Sequence, residues 1–306
     1  MGYDLLLDFW DSFSGLEIVG AQPAKVDPRA IEDSVREPMF EALRAAAGPL
    51  AQYELGRLRE QASEHKTYGE FWVTLDHKVY FQEADYELDQ TRTADDFTRL
   101  GTKSLRRRPR ADTDDLQMQV ARLAVAFGEG HATTVVVADD GIGSGHTMSR
   151  VVEACIARDL PLTRVVVCCN NTDHRDFHGV PVESIVKHNP NRAWLNERDL
   201  YWGLPRSGIP LASMPGTGIP FSIDPLRVTQ RIEVEDHVDA FRSSCLLANA
   251  ELWRQLERTA GRVLTCEDSP LLRFVPDVLR LRKESVVELL ERLAKSDYKL
   301  RVPSTV

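Results

Sequence analysis

The stretch Thr134-Val-Val-Val-Ala-Asp-Asp-Gly-Ile-Gly-Ser-Gly-His-Thr147 decides how the rest of the chain is read. A β-branched apolar run ends in two adjacent carboxylates, Asp139 and Asp140. A short loop with three glycines and two hydroxyls follows, and Met148-Ser-Arg-Val-Val-Glu-Ala-Cys-Ile-Ala157 then has helical character. Open α/β sheets bind ligands at the carboxyl ends of their strands, where this pattern puts the acids. Backbone N–H groups at a helix N-terminus hold an anion well. Glycines let that anion approach the main chain, and the hydroxyls of Ser144 and Thr147 add donors. A phosphorylated sugar satisfies both halves of such a site. The loop is not a Walker A motif, because no lysine follows the glycines, and its spacing is not that of a GxGxxG fingerprint. An ordinary βα turn, with acids and hydroxyls at a helix start, is the structural alternative.

Working outward, Asp115 to Gly128 has helical periodicity and leads into the valine-rich strand. Arg164 to Cys169 reads as a second strand and Val180 to Val186 as a third. Strands alternating with helices predict an α/β fold with a mainly parallel sheet flanked by helices. Glu32 to Ala47 and Leu50 to Ser63 read as helices broken at Gly48-Pro49. Glu70 to Leu75 and Lys78 to Gln82, with Asp76-His77 between them, predict a β-hairpin. Residues 83–114 are polar without a clear period and predict a long loop. Asp199 to Leu204 reads as a short strand, and residues 205–225, dense in proline and glycine, as loops. Val238 to Ala260 predicts a helix closed by Gly261. Arg262 to Cys266 reads as a late strand and Pro276 to Ala294 as helical. The expected organisation is a helical N-terminal segment over 1–64, an α/β core over 65–275 and a helical C-terminal tail over 276–306.

The chain has 306 residues, 42% of them hydrophobic and 28% charged, the composition of a globular protein with a large core. A net charge of −9 argues against a general nucleic-acid-coating role. No apolar run approaches membrane-helix length. The opening MGYDLLLDFW lacks a basic n-region, so no signal peptide is expected. Five cysteines without metal-type spacing suit a reducing cytoplasm, and Cys168 and Cys169, ending a valine-rich strand, are expected as buried thiols. His174 and His178, beside Asp173 and Asp176, read as solvated loop residues rather than a metal site.

Residues 134–147 resemble the phosphoribosyl pyrophosphate (PRPP) motif of type I phosphoribosyltransferases. That pattern is four apolar residues, two acids, two or three variable residues, then Ser/Thr-Gly-Gly/Ala-Thr; here it reads VVVA-DD-GIG-SGHT. The resemblance implies a phosphoribosyltransferase-like core in which Asp139 and Asp140 hold the ribose hydroxyls. It implies that the loop from Gly141 through Gly143, Ser144, Gly145, His146 and Thr147 cradles the 5′-phosphate. His146 stands where the family has a small residue. A second stretch, Asp199-Leu-Tyr-Trp-Gly-Leu-Pro-Arg-Ser-Gly-Ile-Pro-Leu-Ala212, resembles the family's pyrophosphate loop, as found in glutamine amidophosphoribosyltransferases. Arg206, Ser207 and Gly208 would then bind pyrophosphate. In the family this loop precedes the PRPP motif, whereas here it follows. Either the chain is permuted with both loops on one site, or the second match is a chance Pro/Gly turn.

Lys103-Ser-Leu-Arg-Arg-Arg-Pro-Arg110 is a basic run in an acidic chain. It reads as a solvated surface loop or, through the resemblance, as a flexible loop bringing Lys103, Arg106, Arg107 and Arg108 to the pyrophosphate. A nucleic-acid role has less in its favour, because no aromatic residues are interleaved for stacking. The resemblance implies transfer of phosphoribosyl from PRPP to a nitrogen acceptor, with Mg²⁺ on the ligand and no direct protein metal ligand assigned. A homodimer is left open. The alternatives are a PRPP- or nucleotide-sensing module of a regulatory or defence system, or a phosphoribosyl-nucleotide hydrolase.

Overall fold

The structure, a computed structural model, describes residues 2–75, 79, 84–94, 105–108, 115–143, 145–172, 174–186, 192–204, 209–211, 214–219, 238–268 and 283–295. Along the chain lie β1 (Gly2–Leu7), α1 (Phe9–Ser14) and α2 (Pro28–Ile31), which runs through a π-helical turn at Glu32–Arg36 into α3 (Glu37–Ala47). Next come β2 (Leu50–Glu54), α4 (Leu55–His65), β3 (Glu70–Thr74), β4 (Tyr86–Glu87), β5 (Thr91–Ala94), β6 (Leu105–Arg108) and α5 (Leu116–Glu129). They are followed by β7 (Thr134–Ile142), α6 (His146–Ile156), β8 (Leu162–Asn170), β9 (Asp176–Phe177), β10 (Val180–Ser184) and β11 (Arg192–Asn196). β12 (Ile209–Leu211), β13 (Met214–Ile219), α7 (Val238–Ala260) and α8 (Val286–Lys295) are the remaining described strands and helices. The chain divides into two compact units, one of residues 52–92 and 107–194, the other of residues 1–51, 93–106 and 195–306. These bounds cut across the divisions at 64 and 275 expected from the sequence.

The first unit is built on a six-stranded sheet of order β4-β3-β7-β8-β10-β9. Every described pairing in it is parallel except β9 with β10. The chain is therefore α/β, with a mainly parallel sheet flanked by helices, as its alternating pattern predicts. Side chains alternate across a strand, so Phe71, Val73, Val135, Val137, Val165 and Val167 share one face. They pack against Leu116, Val120 and Leu123 of α5 and Met148, Val151, Val152 and Cys155 of α6. Each valine so buried contributes roughly 1.5–3 kcal/mol. The N-cap of α5 is Asp115, whose carboxylate accepts the Met118 N–H at 2.9 Å. The opposite face buries Trp72, Val136, Ala138, Val166 and Cys168. Arg164 lies on that face, paired with Glu70 at 2.9 Å and Glu183 at 2.7 Å, donating to the His65 carbonyl at the end of α4 and lying over the Trp72 ring.

Several expectations need correction. Leu50–Ser63 is not one helix: Leu50–Glu54 forms β2, anchored where the Tyr3 N–H reaches the Pro49 carbonyl, and only then does α4 begin. β3 has parallel neighbours on both sides, β4 and β7. Most of the other hairpin strand, expected over 78–82, lies outside the described residues. The long loop expected over 83–114 contains the strands β4, β5 and β6. Residues 205–225 are not loops throughout, since β12 and β13 pair antiparallel within them. Arg262–Cys266 yields a single bridge, Thr265 with Ser285, and a 3-10 turn at Cys266–Asp268.

In the second unit α7 packs against α3 and α8, and Gly261, at φ +68°, follows its last turn. The π turn closes with the Glu37 N–H on the Glu32 carbonyl. It ends at Arg36, whose guanidinium makes a two-point contact with the fully buried Glu197 at 2.6 and 2.8 Å. The expected strand at 199–204 is instead a 3-10 turn, Glu197–Leu200, and a buried bend. Asn249 of α7 accepts the Trp202 N–H at 2.6 Å and donates to the carbonyls of Leu200 and Cys245. Backbone groups that a strand ladder would satisfy are thus satisfied by one carboxamide. Among the described residues no helix is long and apolar enough to cross a membrane.

Candidate functional site

β7 outruns its neighbour. Its pairing with β3 ends at Thr74 with Ala138, where the Leu75 N–H reaches the Ala138 carbonyl at 2.8 Å. On its other side it stays in register with β8 through Gly141 with Cys169 and Ile142 with Asn170. Residues 139–142 therefore project beyond the end of β3. The chain leaving β3 goes to β4 on one side, and the chain leaving β7 goes to β8 on the other. Such a divergence between adjacent parallel strands is where open sheets leave a crevice for ligands.

Asp139 and Asp140 stand on this overhang, both half-buried. The Asp139 carboxylate accepts the backbone N–H of Asp140 at 2.9 Å. The Trp194 indole donates to Asp140 Oδ2 at 3.3 Å. Trp194 also covers Gly141 so closely that a Cβ added there would lie 2.9 Å from its ring. Tyr53 backs the indole at 5.9 Å between centroids. Tyr53 further lines a cavity of about 330 Å³ with Gln52, Glu54, Arg57, Leu58, Gln61, Ile185 and Val186.

The three glycines of the loop serve three different ends. Gly141 is the last but one residue of β7, and its missing side chain admits Trp194. Gly143 is exposed, with nothing within 4 Å of an added Cβ. Gly145 is the N-cap of α6 at φ +72°, a left-handed conformation suited to glycine, and a Cβ there would meet His174 at 2.9 Å and Phe177 at 3.0 Å. The N-cap residue Gly145 has no side chain with which to accept from the N–H groups of the first turn of α6. His146 is exposed and Thr147 half-buried at this helix start.

The segment after β8 folds over the same helix end. Asn170 accepts from the backbone and hydroxyl of Thr172 and donates to the His174 carbonyl at 2.8 Å. His178, at φ +53°, lies 3.0 Å from the Ser149 hydroxyl of α6. His174, read from sequence as a solvated loop residue, is exposed but has its ring against Gly145. Sequence reading offers the Trp194 to Trp202 region either as part of an acceptor site or as core packing, and it places neither Trp194 nor His174 beside the motif. Their separations from it carry no periodic signal that could have found them.

Ser144, Lys103, Arg206, Ser207 and Gly208 lie outside the described residues. Arg106, Arg107 and Arg108 fall in β6, at the end of a sheet of order β13-β12-β5-β6. The described part of the second loop, through Leu204, belongs to the unit that does not contain Asp139 and Asp140. Among the described residues no group of three His, Cys, Asp or Glu side chains could hold a metal ion. No family model matches the chain, and no curated protein matches it either.

Proposed function

We propose that this chain is a phosphoribosyltransferase-like enzyme that moves phosphoribosyl from PRPP to a nitrogen acceptor and releases pyrophosphate. The observation that carries the reading is the overhang of β7, which presents two carboxylates and leads into the start of α6, where the N-cap residue is a glycine. Asp139 and Asp140 would accept hydrogen bonds from the two ribose hydroxyls. The Gly143 main chain and the first N–H groups of α6 would take the 5′-phosphate. Holding the two ends of the phosphosugar converts remote binding into alignment of its anomeric carbon. As the acceptor nitrogen forms its bond to that carbon, the bond to the pyrophosphate oxygen breaks. Carboxylates holding the ribose hydroxyls would also favour the positive ribosyl charge that develops.

Mg²⁺ suits the donor chemistry, being a hard cation that keeps waters and takes oxygens from carboxylates and substrate phosphates. Asp139 and Asp140 are the carboxylates beside which it would be held together with the ligand, and it would supply charge neutralisation for the pyrophosphate leaving group. Arg206, Ser207 and Gly208 are assigned to pyrophosphate from sequence alone.

The test is pyrophosphate release from PRPP and Mg²⁺ with a panel of nitrogen acceptors, alongside binding measured by thermal shift. Acceptor-dependent release supports the transferase. Release without acceptor marks a hydrolase, and binding without release marks a sensing module. No binding, or binding unchanged in Asp140→Asn, overturns the assignment of the site.

A further inference from the structure

We infer that Trp194 is a positioning residue for Asp140: its indole N–H holds one carboxylate oxygen and thereby sets how the carboxylate is presented to the ligand. The inference rests on the phosphosugar reading of the acids. It is carried by three contacts on one side chain. The indole N–H reaches Asp140 Oδ2 at 3.3 Å. The ring occupies the space that a Cβ on Gly141 would need. Tyr53 packs behind it. A carboxylate at the end of a strand can turn about its terminal bond, since such sp³–sp² torsions are broad. A donor held in place by packing on two sides removes that freedom before the ligand arrives. Indole suits the role because it only donates and has no charge with which to compete for the carboxylate. With Oδ2 engaged, the plane of the carboxylate is set before a sugar hydroxyl meets it. Gly141 then has its own reason to be glycine, because any side chain there would drive the indole away.

Two variants separate positioning from packing. Trp194→Phe keeps an aromatic ring on Gly141 and Tyr53 but deletes the donor, whereas Trp194→Leu removes both. PRPP affinity in Mg²⁺ is measured by titration calorimetry on the full chain, with melting temperature as the control for folding. The expected result is that Phe weakens binding about three- to tenfold, the range for loss of one hydrogen bond, with its melting temperature close to wild type. The loss should be absent when Asp140→Asn is already present, the signature of coupled residues. A second readout needs no ligand: the indole N–H resonance of Trp194 should shift in Asp140→Asn. Wild-type binding with an unimpaired Phe variant, or an indole resonance indifferent to Asp140→Asn, overturns the positioning role and leaves the phosphosugar site standing. Failure of the wild type to bind PRPP overturns the site itself, and this role with it.

Discussion

A methyl group on Gly145 would press on His174 and Phe177 from a backbone at φ +72°. Gly145→Ala is therefore expected to destabilise the fold by about 1–3 kcal/mol, the sum of left-handed strain and crowding, read as a lowered urea midpoint. Gly143 offers the contrast, since its Cβ direction is open. Gly143→Ala should leave the midpoint within about 0.5 kcal/mol and yet weaken PRPP binding, because in the proposed site the added methyl would crowd the phosphate. In the sequence the two glycines are interchangeable members of one loop. Their different duties come from what lies across from them, a histidine and a phenylalanine in one case and open space in the other. That distinction was not legible beforehand, although the acids and the helix start were.

The elements that were easiest to read are those whose signal is local. β7 and β8 carry continuous apolar runs and α5 and α7 helical periodicity, and α7 stops at a glycine with positive φ. The misread elements are those decided by a distant partner. Leu50–Glu54 has residues that a helix would accept, but β1 recruits it as a strand. Asp199–Leu204 has strand-forming residues, but Asn249 satisfies its backbone from α7. Asn249→Ala would leave the Trp202 N–H and the Leu200 carbonyl buried without that partner. The expected loss is about 1–3 kcal/mol for an orphaned group, measured by denaturant unfolding. Within the sheet, Glu70 gives a pH-dependent counterpart. Burial raises its carboxyl pKa, but the Thr67 N–H, the Trp72 indole and Arg164 outweigh burial and hold it below the ordinary carboxylate value. The unfolded chain therefore takes up this proton first as pH falls. The stabilisation is complete above the unfolded value and disappears as pH drops through the lower native one. Urea midpoints from about pH 7 to pH 3 should decline less steeply in Glu70→Gln than in wild type.

For the molecule as a whole, all five cysteines are buried free thiols. Desolvation pushes Cys155 up to about 12 and does the same to Cys266, with neighbouring Glu284 adding to the latter; burial also raises Cys245. Thiolates are the reactive species, so a thiol reagent at neutral pH should label the native chain slowly and all of its cysteines in denaturant. A ligand that binds only the native state raises its melting temperature by mass action, so PRPP with Mg²⁺ should do so in wild type and by a smaller amount in Asp140→Asn. The wide turn at Glu32–Arg36 bears on how far the chain tolerates editing. A π turn holds one residue more than the α pitch needs, and each residue advances a helix by about 100°. Excising Arg36 itself would restore regular pitch while taking the guanidinium away from Glu197. The helix would gain regularity and the interior would be left with a stranded anion, so a shorter chain here would be a less stable one.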